Sequence, residues 1–246
     1  MKISVIMQAY LGEYPGSRSD SEQKFIRAVN TFINQNHKDS ELIIVSDGCD
    51  IVHRCYNQNF KSNDRIKYLF VDKKGISNMY EILDGKKFFR GLPRQIARSL
   101  VTGEITTYMD SDDFMIDTHL ATINHIFSLH EEWDWAINCS WYDNQVVFNN
   151  PIDPTWSIYL KPDNETFTVK GLDSYWIKTK LRDDAIILMP WLTAHKSNVD
   201  TQWRDCVGDI SEDMDFSRRL REKYKKGGRY ISPTYVRCHY SGKWDY

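Results

Sequence analysis

The sequence predicts an α/β protein, with a mixed, mostly parallel central sheet flanked by helices in a single domain of 246 residues. Two observations carry that expectation. Short apolar runs alternate with an amphipathic stretch at the start of the chain: residues 3–7, then 21–36, then 41–45. That is the pattern of a βαβ unit with its right-handed crossover. Further on, a β-prone run over residues 105–109 stops abruptly at Asp110, Asp112 and Asp113. Strands disfavour Asp, so a buried strand ends there in an acidic turn. In alternating α/β proteins ligands sit at the carboxyl ends of the strands.

Composition narrows the class. Hydrophobic residues make up 41% and charged residues 27%, as in ordinary globular proteins. The net charge of -2 gives no sign of a nucleic-acid partner. No apolar stretch approaches the roughly 20 residues needed to span a bilayer, and the N-terminus lacks the flanks of a signal peptide. The five cysteines are scattered without a Cys-x-x-Cys pair, so neither a zinc site nor a disulfide framework is indicated. A reducing cytoplasm is the simplest compartment, with peripheral contact at the inner membrane face left open. The eight Trp concentrate after residue 130. Most are expected to pack in the core or at interfaces; the functional alternative is a platform for sugar rings.

Taken in order, residues 3–7 are apolar throughout, as in a strand buried on both faces. They lead to Gln8, Ala9 and Tyr10 and a Gly/Pro/Ser loop over 12–19. The helix over 21–36 has Ser19 and Glu22 at capping-box spacing and Phe25, Val29, Phe32 and Ile33 on one face. The second strand, 41–45, ends in Ser46-Asp47-Gly48-Cys49-Asp50, which places Tyr10 and Asp47 side by side at one sheet edge. Asp47 before Gly48 fits a turn and a ligand-facing carboxylate equally well. Residues 51–64 predict a helix and a loop, and the alternation of Ile66, Tyr68 and Phe70 predicts a third strand. Residues 72–90 show no regular pattern. Pro93 then opens a helix with Leu92, Ile96 and Leu100 on its face and Arg94 and Arg98 near its start, and Gly103 closes it.

Beyond the acidic turn, a helix is expected over 118–130 with Leu120, Ile123 and Phe127 inward, and a strand over 135–141. Residues 142–180 predict hairpins and loops, 184–189 a strand, and 191–198 a loop or turn. Ser211 caps a last helix bearing Phe216, Leu220 and Tyr224, which Gly227 and Gly228 end. Residues 230–238 are strand-like, and His239 follows at the strand end.

Carboxylates as close as Asp110, Asp112 and Asp113 repel one another unless a cation neutralises them. Hard oxygens suit Mg²⁺ or Mn²⁺, which commonly bridge to phosphates. The structural alternative is a turn that caps the next helix through Asp113 or Asp117. Glu212 and Asp213, taken alone, are explained as acidic residues complementing a helix dipole. His239, at the same edge as the acidic cluster, is a candidate third metal ligand.

Four features in order resemble the family-2 glycosyltransferases of the GT-A fold. The first strand ends in an apolar-to-Tyr loop. Ser46-Asp47-Gly48-Cys49-Asp50 is similar to the family's Asp-Gly-Ser-x-Asp. The stretch from Gly91-Leu92-Pro93-Arg94-Gln95 to Thr102-Gly103-Glu104 resembles the family's Ala-Arg-Asn…Ala-x-Gly-Glu helix, which leads into Met109-Asp110-Ser111-Asp112-Asp113. Ser211-Glu212-Asp213-Met214-Asp215-Phe216-Ser217-Arg218-Arg219 resembles Glu-Asp-x-Asp-(aromatic or Leu)-x-x-Arg. The likeness is close over 1–50, 90–120 and 208–221, and thin over 51–89 and 140–205. It departs from the family at Gln8 and Ala9, where Pro is common, and at Gln95, where Asn is usual.

The resemblance implies a nucleotide-sugar site. Asp47 would bind the nucleoside, with Ala9 and Tyr10 walling it. Arg94 would approach the diphosphate or the nucleotide. Asp110, Ser111 and Asp112 would form the Asp-x-Asp motif that holds ribose and metal. Asp213 would be the catalytic base, with Glu212 as the alternative. Residues 1–115 would form the nucleotide-sugar half and 116–246 the acceptor and base half of one GT-A domain. The function implied is a metal-dependent, inverting hexosyl- or N-acetylhexosaminyltransferase using Mn²⁺ or Mg²⁺. It would move a sugar from a nucleotide donor, UDP-linked by default, to a glycan or lipid-linked glycan in polysaccharide synthesis. The acceptor would be read by 140–205, including Trp141, Trp156, Trp176 and Trp191. Two rivals keep the α/β sheet: a non-catalytic nucleotide-sugar-binding module, and a nucleotidyltransferase. The latter wants a basic, Gly-rich phosphate loop near the N-terminus, for which Gly12 to Ser19 with only Arg18 is a poor candidate.

Overall fold

The computed structural model describes residues 1–12, 20–72, 82–83, 86–137, 140–142, 158–160, 166–169, 177–178, 193–229 and 234–237. The first apolar run is strand β1 (Ile3–Ala9). It pairs in parallel with β2 (Ser40–Asp47) on one side and with β6 (Ile105–Asp110) on the other. Side chains alternate between faces along a strand, and β1 uses both. Ile3, Val5 and Met7 pack with residues of helices α1 (Ser21–Ile33), α2 (Asp50–Asn59) and α4 (His119–Leu129). Ile6 packs on the opposite face with Tyr108 and with α3 (Leu92–Ala97) and α5 (Glu212–Lys223). Burial on both faces is why these strands read as unbroken apolar runs.

The central sheet has seven strands in the order β15 (Gly227–Arg229), β8 (Trp135–Ile137), β13 (Thr193–Lys196), β6, β1, β2 and β3 (Ile66–Val71). Strand β13 runs antiparallel to both neighbours, and every other pairing is parallel. This is the mixed, mostly parallel sheet the sequence predicts. The described residues also form smaller sheets: β4 (Ile82–Leu83), β5 (Lys86–Phe89) and β14 (Cys206–Val207); β7 (Phe114–Met115), β16 (Tyr235–Arg237) and β9 (Ser140–Tyr142); and β10 (Ile158–Leu160), β11 (Thr166–Val169) and β12 (Ile177–Lys178). The last is antiparallel, as expected for hairpins. Among the described residues no helix is long and apolar enough to cross a membrane.

Several local expectations give way. Residues 193–196 form a strand inside the sheet rather than a loop, although Thr-Ala-His-Lys is polar. The polarity is absorbed locally: the buried His195 meets the Tyr108 hydroxyl through Nε2 at 2.8 Å and the Lys196 carbonyl through Nδ1 at 2.7 Å. Burial pushes its pKa down to about 3, so the ring stays neutral. The run 135–141 divides between β8 and β9, which lie in different sheets. Gly227 and Gly228 do not end α5, which stops at Lys223. They belong to β15, where a Cβ on Gly227 would sit 2.3 Å from the Trp135 ring and one on Gly228 2.2 Å from Trp133. The N-cap of α1 is Asp20, and Glu22 pairs with Arg54 at 2.6 Å. Ser19, the loop 13–19 and the strand expected over 184–189 lie outside the described residues.

Glu41 fastens the sheet at the end remote from the acidic turn. Its buried carboxylate accepts from Ser4 Oγ at 2.6 Å and from Thr102 N and Oγ1 at 2.7 and 2.8 Å, and pairs with Lys67 at 2.9 Å. Burial would raise its pKa, but the bonds from Ser4, Lys67 and Thr102 outweigh it and hold the group at about 2. A folded pKa below the unfolded one adds stability above the unfolded value, and that stability drains away as the pH falls through the folded value. Urea unfolding should therefore show roughly 3 kcal/mol lost between about pH 5 and pH 2 from this group. In Glu41→Gln that part of the acid dependence should be absent.

Candidate active site

Three parallel strands, β1, β2 and β6, end at one edge of the sheet. At the end of β2, Gly48 takes φ 62°, a conformation suited to glycine. Asp47 just before it is the last residue of β2 and the centre of a polar contact. Its carboxylate accepts from Gln8 Nε2 of β1 at 3.1 Å and pairs with the buried Arg90. Ala9 is fully buried in the core, and the half-buried Tyr10 follows it.

Strand β6 ends at Asp110, and the acidic turn follows. Asp113 is buried and accepts from the Tyr235 hydroxyl at 2.9 Å. The same hydroxyl accepts the Asp110 amide at 3.0 Å. Neither Asp113 nor Asp117 caps α4, because β7 intervenes and Thr118 is the N-cap residue. Asp110 and Ser111 are partly exposed and Asp112 is exposed.

The face expected for α3 is turned. Leu92 is exposed, whereas Pro93, Arg94 and Ala97 are buried. Electrostatics explains the inversion. Arg94 Nη1 reaches Glu212 at 2.7 Å, Nη2 reaches Asp110 at 3.3 Å, and the guanidinium lies 5.0 Å over the Trp203 ring. Burial works against the charge on Arg94, but Glu212, Asp110 and Asp213 together raise its pKa. Trp203 is held beneath by a bond from its Nε1 to the Tyr108 hydroxyl at 2.9 Å and by stacking on Phe216 at 4.2 Å. The residues after it tie the two helices together. Asp205 accepts from the Gly91 and Leu92 amides at 2.9 Å each, and Arg204 forms a bidentate pair with Asp215 of α5 at 2.9 and 2.7 Å.

The packed face of α5, Phe216 and Leu220, seats on the same cluster as Tyr108, two residues before Asp110. That contact carries the first turn of α5 to the end of β6. Glu212 is buried there, and burial pushes its pKa up against the pull of Arg94, with Asp213 adding to the rise. Asp213 is partly exposed, and its Oδ1 accepts from Ser211 Oγ and from the Met214 amide. Ser211 thus spends its hydroxyl on Asp213, and no backbone amide is capped by it.

Of the residues singled out from the sequence, Arg94, Asp110 and Glu212 are joined directly, Asp213 and Asp112 adjoin them in sequence, and Asp47 forms a neighbouring contact with Arg90. His239 lies outside the described residues, as do Trp156, Trp176 and Trp191, while Trp141 belongs to β9. Sequence reasoning missed Arg90, Trp203 and Tyr235. Arg90 closes a stretch without periodicity, and the partners of the other two come from far along the chain.

Among the described residues no group of three His, Cys, Asp or Glu side chains forms a metal cage. The donor set at the turn suits a different mode. Mg²⁺ is typically held by one or two carboxylates, with substrate phosphates and water completing its shell. Asp110 and Asp112 provide hard oxygens at a solvent-accessible strand end, so the residues present fit a divalent ion shared with a diphosphate.

No protein-family model matches the sequence, and no curated protein matches it. Solved structures do. The fold matches Staphylococcus aureus TarS 1-349 in complex with UDP-GlcNAc, with a TM-score of 0.64 at 16% identity over 98% of this chain. It also matches the mannosyltransferase PcManGT from Pyrobaculum calidifontis in complex with GDP-Man and Mn²⁺, with a TM-score of 0.55 at 10% identity over 96% of this chain. The chain spans 60% of the former and 56% of the latter. At these identities the likeness is one of fold: the chain adopts the GT-A fold, with Asp110, Arg94 and the first turn of α5 gathered at the carboxyl edge of its sheet.

Proposed function

We propose that the chain is a glycosyltransferase that takes a sugar from a nucleotide donor, UDP-linked by default, and transfers it to a hydroxyl of a glycan or lipid-linked glycan. One observation carries the reading: Arg94 joins the carboxyl end of β6 at Asp110 to Glu212 in the first turn of α5. A cation and an acidic helix start thereby meet at the edge where ligands of α/β sheets bind. The neighbours captured with UDP-GlcNAc and with GDP-Man and Mn²⁺ share this fold, which supports a nucleotide-sugar donor here. Residues 1–115 would hold the donor, and the remainder would supply the base and the acceptor surface.

In this reading Asp47 receives the nucleoside, and Gln8 and Arg90 fix its carboxylate in place. Tyr10, held at its place by the buried Ala9, lines the approach, and Ser111 adds a hydroxyl beside the ribose. Departure of the diphosphate builds negative charge on its oxygen, and Arg94 stands ready to neutralise part of it. Asp110 and Asp112 would hold Mn²⁺ or Mg²⁺, which when bound supplies Lewis-acid stabilisation to the diphosphate. Asp213 accepts the proton of the attacking hydroxyl. Displacement by a single attack from the opposite face inverts the anomeric centre.

Calorimetric titration with UDP tests the donor site. Wild type should bind UDP in Mn²⁺ and much more weakly without it, and Asp112→Asn should abolish the difference. Binding that ignores the metal removes the metal role. Absence of binding to UDP, GDP, dTDP and CMP alike overturns the donor site.

A further inference from the structure

The turn that bears Asp110 and Asp112 is held by residues distant in sequence. Tyr235 is fully buried, and its hydroxyl bridges the turn from beneath. It accepts the Asp110 amide at 3.0 Å and donates to the Asp113 carboxylate at 2.9 Å. α1 and the residues just past its end supply a further row of polar side chains spaced four residues apart. Arg27 Nη2 donates to the Asp112 carbonyl at 2.8 Å, and its guanidinium lies 5.3 Å over the Phe114 ring. Thr31 Oγ1 accepts the Met115 amide at 3.2 Å. Gln35 donates to the Ile116 carbonyl at 2.8 Å and accepts the Leu120 amide at 2.9 Å.

We propose that Tyr235 and Arg27 are positioning residues that fix the Asp110–Asp113 turn in its binding shape before donor or cation arrives. The inference rests on the glycosyltransferase reading. Its physical basis is the crowding of like charges. Three carboxylates within four positions repel one another, so a free turn would spread. The phenol draws Asp113 into the core, which leaves Asp110 and Asp112 at the accessible end of β6. Its bond to the Asp110 amide sets where the strand stops, and the Arg27 bond to the Asp112 carbonyl sets the peptide plane at the next acidic position. A site held in advance does not lose affinity to ordering its own ligands.

Tyr235→Phe keeps the ring and removes both bonds. Arg27→Gln, on the partly exposed side of α1, is a second variant with little bearing on the core. Ser4→Ala, which disrupts the Glu41 network at the opposite end of β1, controls for lost stability alone. In ligand-free protein, hydrogen exchange at the Asp110 amide should quicken in Tyr235→Phe and not in Ser4→Ala. The Mn²⁺-dependent affinity for UDP should weaken by about 10–100-fold in Tyr235→Phe, and to a smaller degree in Arg27→Gln. The saturated turnover of each should fall far less than its KM rises. Unchanged exchange at Asp110 in Tyr235→Phe, or UDP affinity no weaker than in Ser4→Ala, overturns the inference. If wild type binds no nucleotide, the glycosyltransferase reading fails, and the exchange result alone decides whether the phenol holds the turn.

Discussion

Arg94→Met loses about 3–5 kcal/mol of folding stability, because it removes one partner of a buried ion pair and strands the other. Both Arg94 and Glu212 are buried, 2.7 Å apart. Met fills much of the apolar stem of Arg94 over Trp203, so the loss is electrostatic rather than a cavity. The pH dependence identifies it. Burial already lifts Glu212, with Arg94 pulling it back down. Without Arg94 the folded pKa rises further above the unfolded one, so the folded variant binds the extra proton. Stability then falls as pH rises above the unfolded carboxylate value near 4.5. The deficit of Arg94→Met against wild type should therefore be smaller at pH 5 than at pH 8 in denaturant unfolding. Arg94→Met combined with Glu212→Gln should recover much of the loss at pH 8. A deficit independent of pH, with no recovery in the double variant, would show that packing over Trp203 matters instead.

Asp213→Asn cuts turnover by about 10²–10⁴-fold, the usual worth of a general base, with UDP affinity nearly unchanged. Asp213 Oδ1 is occupied by Ser211 Oγ and the Met214 amide, which fixes the carboxylate's rotation, so in the proposed reaction Oδ2 would be the oxygen that takes the proton. Asn preserves the shape and the acceptor oxygen while removing basicity, so donor binding should survive. Glu212 is the poorer base because Arg94 holds it in the interior. Turnover assays of Asp213→Asn and Glu212→Gln at saturating donor separate the two. If Asp213→Asn turns over normally while Glu212→Gln does not, the base is Glu212.

The sequence makes the frame of this site legible wherever one local signal decides the outcome. Strands β1, β2 and β6 carry apolar runs because they are buried on both faces. Arg94, Asp110 and Glu212 were visible as residues of the right chemistry near element ends. What stays hidden is decided by partners far along the chain. Arg94 faces inward although the apolar pattern of α3 points Leu92 there, since two carboxylates and Trp203 wait on the inner side. Residues 193–196 look like a loop until His195 meets the Tyr108 hydroxyl. Gly227 and Gly228 look like a helix stop, yet their smallness serves Trp135 and Trp133. Tyr235 carries no mark in its own neighbourhood, because its partners Asp110 and Asp113 come from the other half of the chain.

Strand β13 lies between β6 and β8, and this ordering constrains how the chain assembles. The block β3-β2-β1-β6 draws only on residues up to Asp110 and consists of parallel neighbours linked by nearby helices. It can form while the rest of the chain is still being synthesised. The open side of β6 must then wait for residues 193–196, and β8, made earlier, has no seat in the sheet until they arrive. An uncovered strand edge is a template for pairing with other chains, and long-range pairing is slow. During synthesis, then, the free backbone of β6, the same strand that ends in Asp110, is an open edge in addition to that of β3.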